Sequence, residues 1–150
     1  MYIRWEPQLE LNNDLIDTQH RILMMLCRKL DVAIKTKETE PTILRVILEL
    51  RKFAEFHFVS EENLMSEIGY PGLQQHAAIH TELLAKLDVT LTKINQHKEF
   101  PDDLLYFLNQ WVIGHVTHED VTIANFARKS GKRPIGEDLY KEYLLAGQSK

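Results

Sequence analysis

A chain of 150 residues with 44% hydrophobic and 27% charged side chains has the make-up of one globular domain with one core. Eighteen basic residues against 22 acidic ones leave a net charge of -4, which excludes the basic footprint of a nucleic-acid or anionic-membrane binder. Apolar runs are too short to span a bilayer, the N-terminus has no signal-peptide pattern, and the one cysteine, Cys27, permits no internal disulfide, so a reducing, cytoplasmic setting is expected.

Four helical patterns follow, with almost no strand signal. The first spans about residues 13–36, where Ile16, His20, Leu23, Cys27, Leu30 and Ile34 recur at helical spacing. Asn12 or Asn13 suits its N-cap. After a polar loop, KTKETE, Pro41 suits the first turn of a second helix that runs to about Ile68. Gly69 can end that helix in the left-handed conformation. Pro71 is expected to open a third helix carrying Leu73, His76, His80, Leu83, Leu87, Leu91 and Ile94. Pro101 opens a fourth, with Asp102 and Asp103 in its first turn, where carboxylates favour the helix dipole. It ends near Ser130–Gly131. Helices of similar length joined by short loops pack antiparallel. The expected fold is therefore all-α: an up-down-up-down four-helix bundle over residues 1–131, with an N-terminal arm. A charged C-terminal tail, 132–150, can form one short helix over Asp138–Leu145.

The polar residues on the apolar faces carry the functional signal. Helix one offers His20; helix two, His57 and Glu61; helix three, His76 and His80; helix four, His115 and then His118, Glu119 and Asp120. Residues four apart share one face of a helix, so His57/Glu61 and His76/His80 each aim two ligands at one place. A lone buried histidine is ordinarily a hydrogen-bonded core residue, and an i,i+4 pair is often a surface contact. Five imidazoles and two carboxylates buried together are another matter, because their desolvation is costly unless a metal compensates it. His97 falls in a polar loop and is read as solvent-exposed, and His118 as peripheral.

Imidazole with carboxylate suits iron, zinc or manganese. Seven side-chain ligands are too many for one tetrahedral zinc. Suppose instead that Glu61, one helix-four carboxylate and an oxo or hydroxo group bridge two metals. Three histidines then complete six ligands on one metal, and two give five on the other. One position, on one metal, stays open. That count favours a carrier or sensor over an enzyme. Spacing alone favours Glu119 as the helix-four carboxylate: Asp120 lies five residues from His115, roughly 140° around an ideal helix, whereas Glu119, four apart, has the better straight-helix geometry.

These residues resemble the hemerythrin family. The matching stretches are Trp5, Asp17-Thr18-Gln19-His20, His57 through Met65, Gly69-Tyr70-Pro71, His76-Ala77-Ala78-Ile79-His80, and Trp111 through His115 to Asp120, spanning about residues 5–126. The resemblance implies two non-haem iron ions, oxo- or hydroxo-bridged. His76, His80 and His115 would hold the saturated iron, His20 and His57 the iron with the open position, and Glu61 and Asp120 would bridge. It implies reversible dioxygen binding at the open iron, for storage, delivery or sensing, in a pocket that keeps out water. Leu23, Met24, Phe58 and Val112 are candidates for that lining by helix position. The family pattern selects Asp120 over Glu119 and so implies a local irregularity in helix four, such as a π-bulge. It often has leucine where Val112 stands, so a roomier pocket is expected here. The alternative within the broader group is a di-iron protein for repair of damaged iron centres or for peroxide or nitric oxide handling, which would use a His115–Glu119 pair. A monomer or weak homo-oligomer is expected, and an unidentified protein partner acting through residues 132–150 is compatible with the sequence.

Overall fold

In a computed structural model, residues 6–98, 101–135 and 138–139 are described. Trp5 and most of the expected tail helix, Asp138–Leu145, lie outside them. After a short 3-10 turn, Pro7–Leu9, come four long helical rods. They are α1 (Asp14–Lys35), α2 (Glu40–Ile68), α3 (Leu73–Asn95), and a fourth made of α4 (Pro101–Gly114), a π-helical segment (His115–Asp120) and α5 (Val121–Ser130).

The ends are set by local chemistry. Asn13 Oδ1 accepts the Ile16 amide at 3.1 Å and caps α1. The Asp17 carboxylate accepts the amides of Leu11 (2.8 Å) and Asn13 (3.2 Å), which ties the N-terminal arm to the first turn. At the end of α2, Gly69 takes φ 69°, and the Tyr70 amide bonds back to the Met65 carbonyl at 2.9 Å. The third helix starts at Leu73, two residues later than Pro71 suggested. Residues 70–72 instead form a turn closed by the Leu73 amide on the Tyr70 carbonyl (3.3 Å). Gly131, at φ 67°, ends α5.

Cross-helix pairs give the directions. Gln19 bonds to Ser60 and Lys29 pairs with Glu49, so α1 and α2 run antiparallel. His80 meets Glu62 and Arg51 meets Asp88, so α2 and α3 do too. The bundle is all-α, and among the described residues no helix is long and apolar enough to cross a membrane.

The apolar stripes close a main core that includes Leu23, Cys27, Leu30, Ile47, Leu50, Phe58, Leu87, Leu104 and Val112. A smaller cluster, Met65, Ile68 and Ile123 with Leu64, Tyr70, Leu73 and Phe126 against it, fills the other end. On α2, Phe58 belongs to the first cluster and Met65 to the second. Glu61 falls between them, at the level where the polar residues meet.

Candidate metal centre

All seven candidate ligands converge at that level. His20, His57, Glu61, His76, His80, His115 and Asp120 come from all four rods, and none is more than 4% exposed. They fall into two overlapping groups whose ligand atoms lie within 4.8 Å of one another: His20, His57, Glu61 and Asp120, and Glu61, His76, His80 and His115.

Glu61 divides its two oxygens between them. Oε1 lies 2.9 Å from His57 Nε2 and 3.3 Å from His20 Nε2. Oε2 lies 3.0 Å from His80 Nε2, 3.4 Å from His76 Nε2 and 3.7 Å from His115 Nε2. Asp120 divides in the same sense: Oδ2 is 3.0 Å from His20 Nε2, and Oδ1 is 3.1 Å from His115 and 3.6 Å from His76. Two histidines thus face one oxygen set and three face the other.

Helix four reaches this arrangement through the π-helical turn. His115 and Asp120 are both buried, whereas Glu119 and His118 are exposed. Thr117 Oγ1 donates to the Ile113 carbonyl (2.5 Å), and the His118 ring bonds the Gly114 carbonyl (3.1 Å). Both bonds draw on backbone of the turn before the wide one. His97 is exposed beside Glu40.

The donor set fits metal ions. Both Asp120 oxygens are buried and face only imidazole nitrogens, which costs free energy unless a cation or a ring proton lies between them. His80 Nε2 and His115 Nε2 stand 3.2 Å apart, a contact between ring nitrogens that a cation or proton must relieve. Burial disfavours charge on His20 and His115. Asp120 and then Glu61 outweigh that and push the rings up to about 9 and about 10. Burial likewise opposes charge on Glu61, yet His57 and the bonds from His115 and His20 hold its carboxyl well below the usual range. The pocket is built to hold positive charge.

Sequence reading missed the residues behind the rings. His57 Nδ1–H donates to Gln19 Oε1 at 2.8 Å, and His80 Nδ1–H to Glu62 Oε1 at 3.0 Å. Phe58 stacks on His80 (centroids 3.9 Å apart, planes at 7°) and Trp111 on His115 (4.5 Å, 15°). Leu23, Met24 and Val112 are buried in the same cluster as Phe58. A cavity of about 310 Å³, walled by Leu11, Ile16, Leu64 and Ile123, reaches Glu61 and Asp120 from another side.

Fold and site together define a four-helix bundle with a buried histidine–carboxylate centre for cations. Residues 11–127 match the hemerythrin family, described as the hemerythrin HHE cation binding domain, and the chain belongs to that family. It is 28% identical over 121 residues to a bacteriohemerythrin of Stenotrophomonas maltophilia, covering 81% of this chain and 78% of that one. It is 29% identical over 121 residues to a bacteriohemerythrin of Clostridium acetobutylicum, covering 77% and 94%. A crystal structure of wild-type hemerythrin shares the fold, with a TM-score of 0.75 at 23% identity, over 83% of this chain and 97% of that one.

Proposed function

We propose that this chain binds two non-haem iron ions and uses one open position to bind dioxygen reversibly, as a carrier or sensor and not as an enzyme. The observation that carries this reading is the division of Glu61 and Asp120, each with one oxygen toward His20 and the other toward the second histidine group. His76, His80 and His115 hold one metal. His20 and His57 would hold the other, the one expected to take dioxygen. A bound iron pair supplies the redox chemistry for dioxygen.

The chain's own residues do the rest. Glu61 and Asp120 fix the spacing of the two positions and offset the metals' charge. Gln19 and Glu62 hold His57 and His80 with Nε2 turned inward. Phe58 and Trp111 cover the rings of His80 and His115; Leu23, Met24 and Val112, buried in the same cluster as Phe58, would supply the apolar lining that keeps water from the gas. The exposure of Glu119 disfavours a His115–Glu119 ligand pair, and with it the repair reading. We assign residues 1–131 to the metal-binding bundle and 132–150 to a tail.

The test is anaerobic loading with ferrous iron, metal analysis, then admission of oxygen with the visible spectrum followed. Two irons per chain and a charge-transfer band that appears with oxygen and vanishes on its removal are expected. One zinc per chain, irreversible bleaching, or consumption of a co-substrate would overturn the reading.

A further inference from the structure

The two halves of the centre differ in what stands behind their histidines. Gln19 is 2% exposed, with Nε2 donating to Ser60 Oγ at 2.9 Å and Oε1 facing the His57 ring at 2.8 Å. The His57 ring thus donates from Nδ1 to an amide oxygen and turns Nε2 inward, 2.9 Å from Glu61 Oε1. On the other half, the acceptor behind His80 is Glu62, whose side chain is 34% exposed. A ring donating to a carboxylate is a stronger electron donor through its other nitrogen than one donating to an amide. The difference in exposure explains the choice of residue. Behind His57 a further carboxylate would be sealed from water at high cost, whereas behind His80 it reaches solvent.

We propose that Gln19 and Glu62 are positioning residues that make the two metal positions chemically unequal, with weaker donation from His57 at the open position and stronger donation from His80 at the closed one. This rests on the two-metal reading above. Weaker donation favours the reduced metal at the place where a gas binds, and so favours giving the gas back. Ser60 acts one step further out, as the hydrogen-bond partner of the Gln19 amide.

The test compares wild type with Gln19→Leu, Gln19→Glu and Glu62→Gln. Stepwise binding of ferrous iron is measured anaerobically by competition with a chelator, and histidine ¹⁵N resonances are read in the zinc-loaded protein. Gln19→Leu is expected to weaken one of the two binding steps about 10- to 100-fold, to spare the other, and to remove the hydrogen-bonded character of His57 Nδ1. Gln19→Glu, whose carboxylate accepts from both His57 and the Ser60 hydroxyl, should restore two-metal binding and move the His57 resonance toward that of His80. Glu62→Gln should move His80 toward His57. Full affinity at both steps in Gln19→Leu with an unmoved His57 resonance overturns the proposal. Should that variant not fold, an unmoved His57 resonance in Gln19→Glu overturns it equally. Wild type that binds fewer than two metals overturns the two-metal reading and this proposal with it. Two metals in wild type with unresponsive variants overturn the proposal alone.

Discussion

Asp120 Oδ1 lies 3.1 Å from His115 Nε2, although the two residues are five apart on one helical rod. An α-helix would set them roughly 140° apart, and the π-helical turn brings them onto one side. The nearer acid, Glu119, faces solvent instead.

Asp120→Asn should therefore weaken retention of two metals by more than about 100-fold, beyond what loss of a ligand's hydrogen-bond partner causes. Glu119→Gln should leave metal content unchanged. Metal analysis after dialysis against a chelator checks both, and loss of metal from Glu119→Gln with retention in Asp120→Asn would reverse the assignment.

The parts of this fold legible in the sequence are those fixed by neighbours along the chain. The stripe from Ile16 to Ile34, the Asn13 cap and the Gly69 terminator each follow from one helix's own periodicity and ends. His76 and His80, four apart, announce a shared face. The wide turn at 115–120 leaves no such trace, because it breaks the period that would reveal it. Only the family pattern pointed to Asp120. Gln19 and Glu62 were silent for a different reason. Their partners His57 and His80 lie on other helices, 38 and 18 residues away, and spacing along one chain does not give the register between rods.

Gly69→Ala tests the end of α2 without touching the centre. A Cβ at Gly69 meets only Lys132 Nζ, at 3.7 Å, so crowding is not the obstacle. The cost is the left-handed backbone, about 1–2 kcal/mol for a residue with a side chain. At roughly 2–4 °C per kcal/mol for a domain of this size, the melting temperature should fall by several degrees with metal content unchanged. An unchanged melting temperature would mean that the turn relaxes to another conformation.

Removing the metals should make stability depend on pH in a way the loaded protein does not share. Burial opposes charge on His20 and His115, but Asp120 and Glu61 hold them at about 9 and about 10, above the ordinary 6.5. Groups raised on folding stabilise fully below their unfolded value, and that stabilisation is lost as pH rises through the folded one. The stripped protein should therefore lose stability from about pH 6.5 to pH 10. Loading it at neutral pH should release protons. Thermal melts with and without metal, and a pH-indicator dye during loading, read these effects. A stripped protein that gains stability over that range would contradict the charge arrangement at Asp120.

On the proposed oxygen-binding reading, Val112 bears on how long the bound gas survives. It is 1% exposed, packs in the cluster that contains Phe58, and lies one turn before His115 on the same face. Leucine at this place adds one methylene on the side of the centre assigned to the gas. If that side is loosely filled, Val112→Leu takes up space open to water and should slow autoxidation severalfold. If it is already full, the extra methylene costs about 1–3 kcal/mol, and the melting temperature falls without that benefit. The two measurements together separate the cases. The expected result is slower decay of the oxygenated spectrum with a melting temperature close to wild type, and unchanged or faster decay at an unchanged melting temperature would show that Val112 does not line the ligand's path.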